Sequence, residues 1–140
     1  DYVLGNRRQH MTALDEVVLF LESQRQIYLN DGEMFLLMNE LDIYFKRYKK
    51  RYLFAMPKLK KLDVVRPYLK DLLQRGAAEG SVCTSRDIAE LTELIIATYT
   101  GLFHHFNFKY LQESRKRREN DIRMLDIYID GLKRCLRPAL

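Results

Sequence analysis

The chain has 140 residues, the size of one ordinary domain and enough to bury a hydrophobic core. Its apolar fraction of 47% and charged fraction of 31% place it among folded globular proteins rather than disordered ones. The net charge of +5 is scattered, so it is compatible with nucleic acid nearby without demonstrating it, and no run approaches the ~20 apolar residues of a membrane helix.

Only three prolines and six glycines punctuate the chain, so long helices are expected over a meander of short strands. Residues 1–10 are polar and basic (Arg7, Arg8). They open without an initiator Met or a signal-peptide pattern, and the expectation is that they end something upstream. Thr12 followed by Asp15 marks a helix start, the hydroxyl capping free backbone N–H groups. Leu14, Val17, Val18, Leu21 and Tyr28 then recur at helical spacing, carrying a first helix to about Asn30.

Asn30-Asp31-Gly32-Glu33 breaks and restarts the chain. The second predicted helix, 33–48, is apolar on most sides (Met34, Phe35, Leu37, Met38, Leu41, Tyr44, Phe45, Tyr48) and is therefore expected to be central. A basic run, 46–50, and a short helix or turn at 52–56 follow. The third predicted helix, 58–78, carries Leu59, Leu62, Val65, Leu69, Leu72 and Leu73. Pro67 inside it predicts a kink or an interrupted start, and Gly76 and Gly80 bracket its end.

After a cap in 84–87, a long helix is predicted over 86–113. Ile88, Leu91, Ile95, Tyr99, Leu102 and Phe106 form its main stripe, widened by Ile96, Phe103 and Tyr110. A second stripe runs beside it: Leu94, Thr98, Gly101, His105 and Phe108. The basic residues 114–118 read as a solvated linker to a last helix, 119–137. There Ile122, Leu125, Ile129, Leu132 and Leu136 hold one face, and Met124, Tyr128, Gly131 and Cys135 the next. Ordinary surface helices carry a stripe of about 100°, whereas this one covers closer to ~180°.

Two spare stripes imply a second burial partner. Leaving a large apolar side chain wet forgoes roughly 1.5–3 kcal/mol, and a mid-helix glycine costs about 1 kcal/mol against alanine unless it permits close approach. Gly101 and Gly131 fit a symmetric four-helix contact between two copies of the chain. The competing arrangement buries both stripes within one chain beneath the earlier helices.

No catalytic pattern is visible. There is no Gly-rich phosphate loop, nucleophile elbow or HExxH motif. His104 and His105 point about 100° apart on a helix and cannot readily share a metal. His105 reads as an interface residue, His104 as solvent-facing or at a pocket edge. Cys83 and Cys135 lack metal or redox spacing and read as reduced, largely structural thiols of a cytosolic protein. Neither enzyme activity nor a cofactor or metal is expected.

The string Tyr68-Leu69-Lys70-Asp71-Leu72-Leu73-Gln74-Arg75-Gly76-Ala77-Ala78-Glu79-Gly80 resembles the turn that precedes the long dimerisation helix in TetR-family regulators. Asp87, Ala89, Leu91, Leu94, Ile95, Tyr99, Gly101 and Leu102 are similar to that helix, and 125–132 to the family's final helix. The likeness covers 12–136 and lies in the order of these features.

What the resemblance implies is the effector-sensing and dimerisation part of a transcriptional regulator or repressor. It implies an all-α bundle whose last two helices pair as a four-helix homodimer contact. Residues 12–140 would be the ligand-binding and dimerisation domain, and 1–11 the end of a linker from a DNA-binding domain. Nothing in the 140 residues matches the family's helix-turn-helix module, so operator DNA would be contacted only through that missing head. The dimer face would comprise Leu94, Thr98, Gly101, His105, Phe108, Met124, Tyr128, Gly131 and Cys135. A small apolar or amphipathic effector would sit among Phe35, Met38, Tyr44, Phe45, Tyr48, Tyr68, Leu72, Tyr99, Phe103 and Phe106. Aromatics at helical spacing are ordinarily core, and the alternative reading is a helical protein-interaction module with no small-molecule ligand.

Overall fold

The structure, a computed structural model, describes residues 10–30, 64–110 and 115–138 and the single positions Leu37, Glu40, Tyr44 and Arg47; of 107–110 and 115–118 it describes the backbone alone. The described residues form an all-helical bundle with no strand: α1 (Ala13–Asn30), α2 (Val65–Glu79), α3 (Ile88–Tyr110) and α4 (Arg115–Leu136).

Helix α1 starts where the sequence placed a cap. Asp15 N–H donates to Thr12 Oγ1 at 3.2 Å, and Thr12 N–H donates back to Asp15 Oδ2 at 3.1 Å. The remaining orphan donors of the first turn are met from the far end of α2: Ala13 N–H by Glu79 Oε1 at 2.5 Å and Leu14 N–H by Ser81 Oγ at 3.4 Å. Asp15 and Glu16 add negative charge at the positive end of the helix dipole. The helix is buried almost all round over its first half, Ala13, Leu14 and Val17 to Leu21 each being at most 9% exposed.

The sequence reading gave a central position to 33–48, most of which lies outside the described residues. The described apolar residues of that segment, Leu37 and Tyr44, are helical but 55% and 43% exposed. Leu19 and Phe20 make the difference in α1. They fill the angular gap between the periodic positions and leave the helix no polar face over that stretch.

Helix α2 begins at Val65, so Pro67 falls in its first turn, where a missing N–H has no intrahelical acceptor to disappoint. Pro67 therefore breaks no intrahelical bond of α2, and 58–63 lie outside the described residues. Leu69, Leu72, Leu73 and Gly76 form one buried stripe. The two glycines near its end do different jobs. Gly80 adopts the left-handed conformation, φ 82°, that closes the helix. Gly76 remains helical and makes room: a Cβ there would lie 2.5 Å from Val82 Cγ2, where the chain folds back and Val82 N–H donates to the Gly76 carbonyl at 3.0 Å.

Asp87 caps α3, its Oδ1 accepting from Ala89 N–H at 2.8 Å and Glu90 N–H at 3.2 Å. Helix α4 begins at Arg115, so the basic run read as a linker is mostly helical from its second residue. Arg and Lys are good helix formers and no glycine or proline interrupts them; their unfavourable charge at a helix N-terminus is too small an effect to prevent it. Helices α3 and α4 run antiparallel. Cys83 N–H, just before α3, meets the Leu136 carbonyl at 2.7 Å, while Phe103 and Phe106 pack with Leu125.

Among the described residues two apolar clusters make the core. The larger joins Leu14, Val17, Phe20 and Leu21 of α1 to Leu69, Leu72 and Leu73 of α2, Leu91 and Ile95 of α3, and Ile129 and Leu136 of α4. The smaller gathers Tyr28, Phe103, Phe106 and Leu125 toward the other end.

Candidate functional site

Two regions are built from the residues the sequence singled out: an aromatic interior and an uncovered face. The interior is a continuous ladder of rings joining α1 to α2 and α3. Phe20 meets Tyr68 at 5.9 Å and Tyr99 edge-on at 6.0 Å. Tyr99 meets Phe103 at 6.3 Å, and Tyr28 touches both Phe103 (5.8 Å) and Phe106 (5.6 Å). Tilted and edge-to-face pairs at such spacings contribute about 0.5–1.5 kcal/mol each beyond their buried area.

Of the expected pocket residues, Leu72, Phe103 and Phe106 are packed core, at most 1% exposed. Tyr99 is half-buried and packs against both clusters, and Tyr68 lies at the rim, 36% exposed. Tyr44 is exposed, while Phe35, Met38, Phe45 and Tyr48 lie outside the described residues. Phe20 was missed as a member of this group, although it lies one helical turn beyond Val17 on the same helix.

The interior is not wholly apolar. Tyr28 Oη donates to Asp121 Oδ2 at 3.0 Å, with both side chains buried. Arg25, three residues before Tyr28, pairs with Asp126 at 2.6 Å. His104 is half-buried and its Nε2 is enclosed without a hydrogen-bond partner among the described residues. None of these polar partnerships carries a periodic signature, so only the three-dimensional arrangement reveals them.

The second region is the outer side of α3 and α4. Leu94 is 54% exposed, and Gly101 and His105 are exposed beside it. Thr98 is half-buried, its hydroxyl donating to the Leu94 carbonyl at 2.7 Å; the side chain of Phe108 is outside the described set. On α4, Gly131 and Cys135 are exposed, whereas Met124 packs on the smaller cluster and Tyr128 on the larger. Burial, opposed by a hydrogen bond with Thr98, pushes the Tyr128 phenol up to about 12. A Cβ at Gly101 or Gly131 would meet nothing within 4 Å, so neither glycine serves close packing within the described chain.

A third, polar feature lies at the junction of α1 and α2, where Met11, Glu16, Arg75, Ala78 and Glu79 line an open cleft. Arg75 Nη2 donates to the buried Glu16 at 2.9 Å, which raises the guanidinium's affinity for its proton. Hydrogen bonds from Ser81 and from the Ala13 backbone hold the Glu79 carboxyl below its ordinary range. Each of these groups closes a helix end or an ion pair, which is a structural task.

Among the described residues no three His, Cys, Asp or Glu side chains are placed to hold a metal ion, and no helix is long and apolar enough to cross a membrane. The described residues define an all-α bundle with exposed apolar and glycine positions on α3 and α4. Comparison with known proteins found no matching family model, no matching curated protein and no matching solved structure.

Proposed function

We propose that the chain is the effector-sensing and dimerising domain of a TetR-type transcriptional regulator. The observation that carries the reading is the uncovered side of α3 and α4. Leu94, Gly101, His105, Gly131 and Cys135 are exposed in the single chain, and the two glycines face open space. A second copy laid across this side would cover Leu94 and use the missing side chains for close helix contact. In this reading a small apolar or amphipathic molecule binds beside the Phe20–Tyr99–Phe103 ladder and favours one spacing of the pair. DNA contact falls to a helix-turn-helix module joined ahead of these residues, whose fit to successive major grooves follows that spacing.

The dense packing of Leu72, Phe103 and Phe106 favours a second reading, a helical module that pairs without any small-molecule ligand. Sedimentation equilibrium and calorimetric titration separate the two. A particle of twice 16.8 kDa that takes up a lipophilic compound supports the regulator domain. A dimer indifferent to a broad lipophilic panel supports the second reading, and a lone chain at micromolar concentration removes both.

A further inference from the structure

The α2–α3 connection and the last turn of α4 meet at one short backbone contact, the 2.7 Å hydrogen bond from Cys83 N–H to the Leu136 carbonyl. Val82 and Leu136 fix it from within, being 4% and 3% exposed members of the same core cluster. Cys83 follows Val82 and Cys135 precedes Leu136, and both cysteines carry exposed free thiols. Cys83 and Leu136, with all of α3 and nearly all of α4 between them, are thus brought together, and Cys135 is the next residue back along α4. The structure therefore departs from the reading of these thiols as structural.

We propose that Cys83 and Cys135 form a reversible disulfide within one chain, tying together the open end of the antiparallel α3–α4 pair. A disulfide requires Cα atoms about 4.4–6.8 Å apart. The backbone bond holds Cys83 against the neighbour of Cys135, and both positions have latitude to adjust. Residues 82–84 are non-helical, and Cys135 lies one residue before α4 ends. The oxidant is a low-molecular-weight disulfide of the glutathione type. The thiolate of one cysteine attacks a sulfur of the oxidised compound, breaking its S–S bond and releasing one thiol. The second cysteine then attacks the mixed disulfide, forming the internal S–S bond and releasing the other thiol. Two protein thiols are oxidised, one external disulfide is reduced to two thiols, and the protons pass from the former to the latter.

The bond closes a loop that contains α3 and most of α4, so it removes conformational freedom chiefly from the unfolded chain. The inference rests on contacts within one chain; because Cys135 also belongs to the proposed pairing face, the disulfide is expected to form on the dissociated chain, and the titration is run on protein dilute enough to be single.

The test is titration of the full chain with glutathione buffers from reducing to oxidising, followed by maleimide trapping, mass spectrometry and a non-reducing denaturing gel. The expected result is a single-chain species about 2 Da lighter that takes up no maleimide, with a cross-linked peptide pairing Cys83 and Cys135. Its Tm should exceed that of the reduced chain by about 5–10 °C. Cys83→Ser and Cys135→Ser should each abolish both the mass loss and the Tm difference, while their reduced Tm stays near that of the parent. Uptake of two maleimides at every ratio, glutathione retained on either cysteine of the parent chain without closure, or a cross-link between chains would each overturn the proposal. Sedimentation of the same samples reports on pairing separately.

Discussion

Tyr28 and Asp121 are joined across the interior of the bundle, phenol to carboxyl, at 3.0 Å and with only 2% and 4% of their surfaces exposed. This bond sets α1 against α4 in one register, and the Arg25–Asp126 pair repeats the link nearer the surface. A buried polar group whose partner is deleted keeps its desolvation cost and loses the compensation. Tyr28→Phe retains the ring contacts with Phe103 and Phe106, so the loss should report the hydroxyl alone. We expect a destabilisation of about 1–3 kcal/mol, seen in urea as a lower midpoint at unchanged slope.

Glu79 predicts a dependence on pH. Its folded-state acidity is strengthened by hydrogen bonds from Ser81 and Ala13, so its pKa lies below the ordinary 4.5. A depressed carboxyl contributes stability that is complete above its unfolded value and is lost as pH falls through the folded one. Glu79→Gln should therefore be less stable than the parent at pH ~7, and the two should converge as acid carries the pH below the carboxylate range. Urea unfolding at a series of pH values checks this; a gap that persists in acid would assign the effect to lost packing instead.

Leu94 predicts a separation of folding from association. Its side chain is 54% exposed, so Leu94→Glu should change the stability of the single chain by no more than about 0.5 kcal/mol. On a paired α3–α4 face the same charge would be buried, and the dimer dissociation constant should rise by roughly tenfold or more. Sedimentation across a concentration series measures it, and an unchanged constant would move the contact elsewhere on the molecule.

The sequence was most informative where a local rule decides the outcome. The Thr12–Asp15 box, the Asp87 cap, the left-handed Gly80 and the inward positions Leu91, Ile95, Leu125, Ile129 and Leu136 all follow from spacing and side-chain chemistry, and the structure has each of them. It was least informative where two helices must be compared. The burial of α1 nearly all round was not read from its spacing, because Leu19 and Phe20 fall between the periodic positions and close its remaining face. The basic run misled for a related reason: charge density suggested a solvated connection, while the backbone preference of Arg and Lys was helical. The Tyr28–Asp121 bond and the meeting of Cys83 with Leu136 join distant parts of the chain and leave no periodic trace.

The described glycines offer the sharpest contrast, because three of them lie inside helices for two different reasons. At Gly76 an added methyl would stand 2.5 Å from Val82 Cγ2 and 3.0 Å from Val82 Cβ, a contact that forces the folded-back chain outward. Gly76→Ala should therefore cost about 1–3 kcal/mol through overpacking, more than its gain in helix propensity returns. At Gly101 and Gly131 the space is open, so alanine should stabilise the single chain by up to about 1 kcal/mol at each site. If those openings are reserved for a second copy, the same two alanines should weaken pairing while raising the thermal stability of the dissociated chain. Measured together, unfolding of dilute protein and sedimentation of concentrated protein would move in opposite directions. Stabilisation without any loss of association would mean that the glycines face solvent in every state of the molecule.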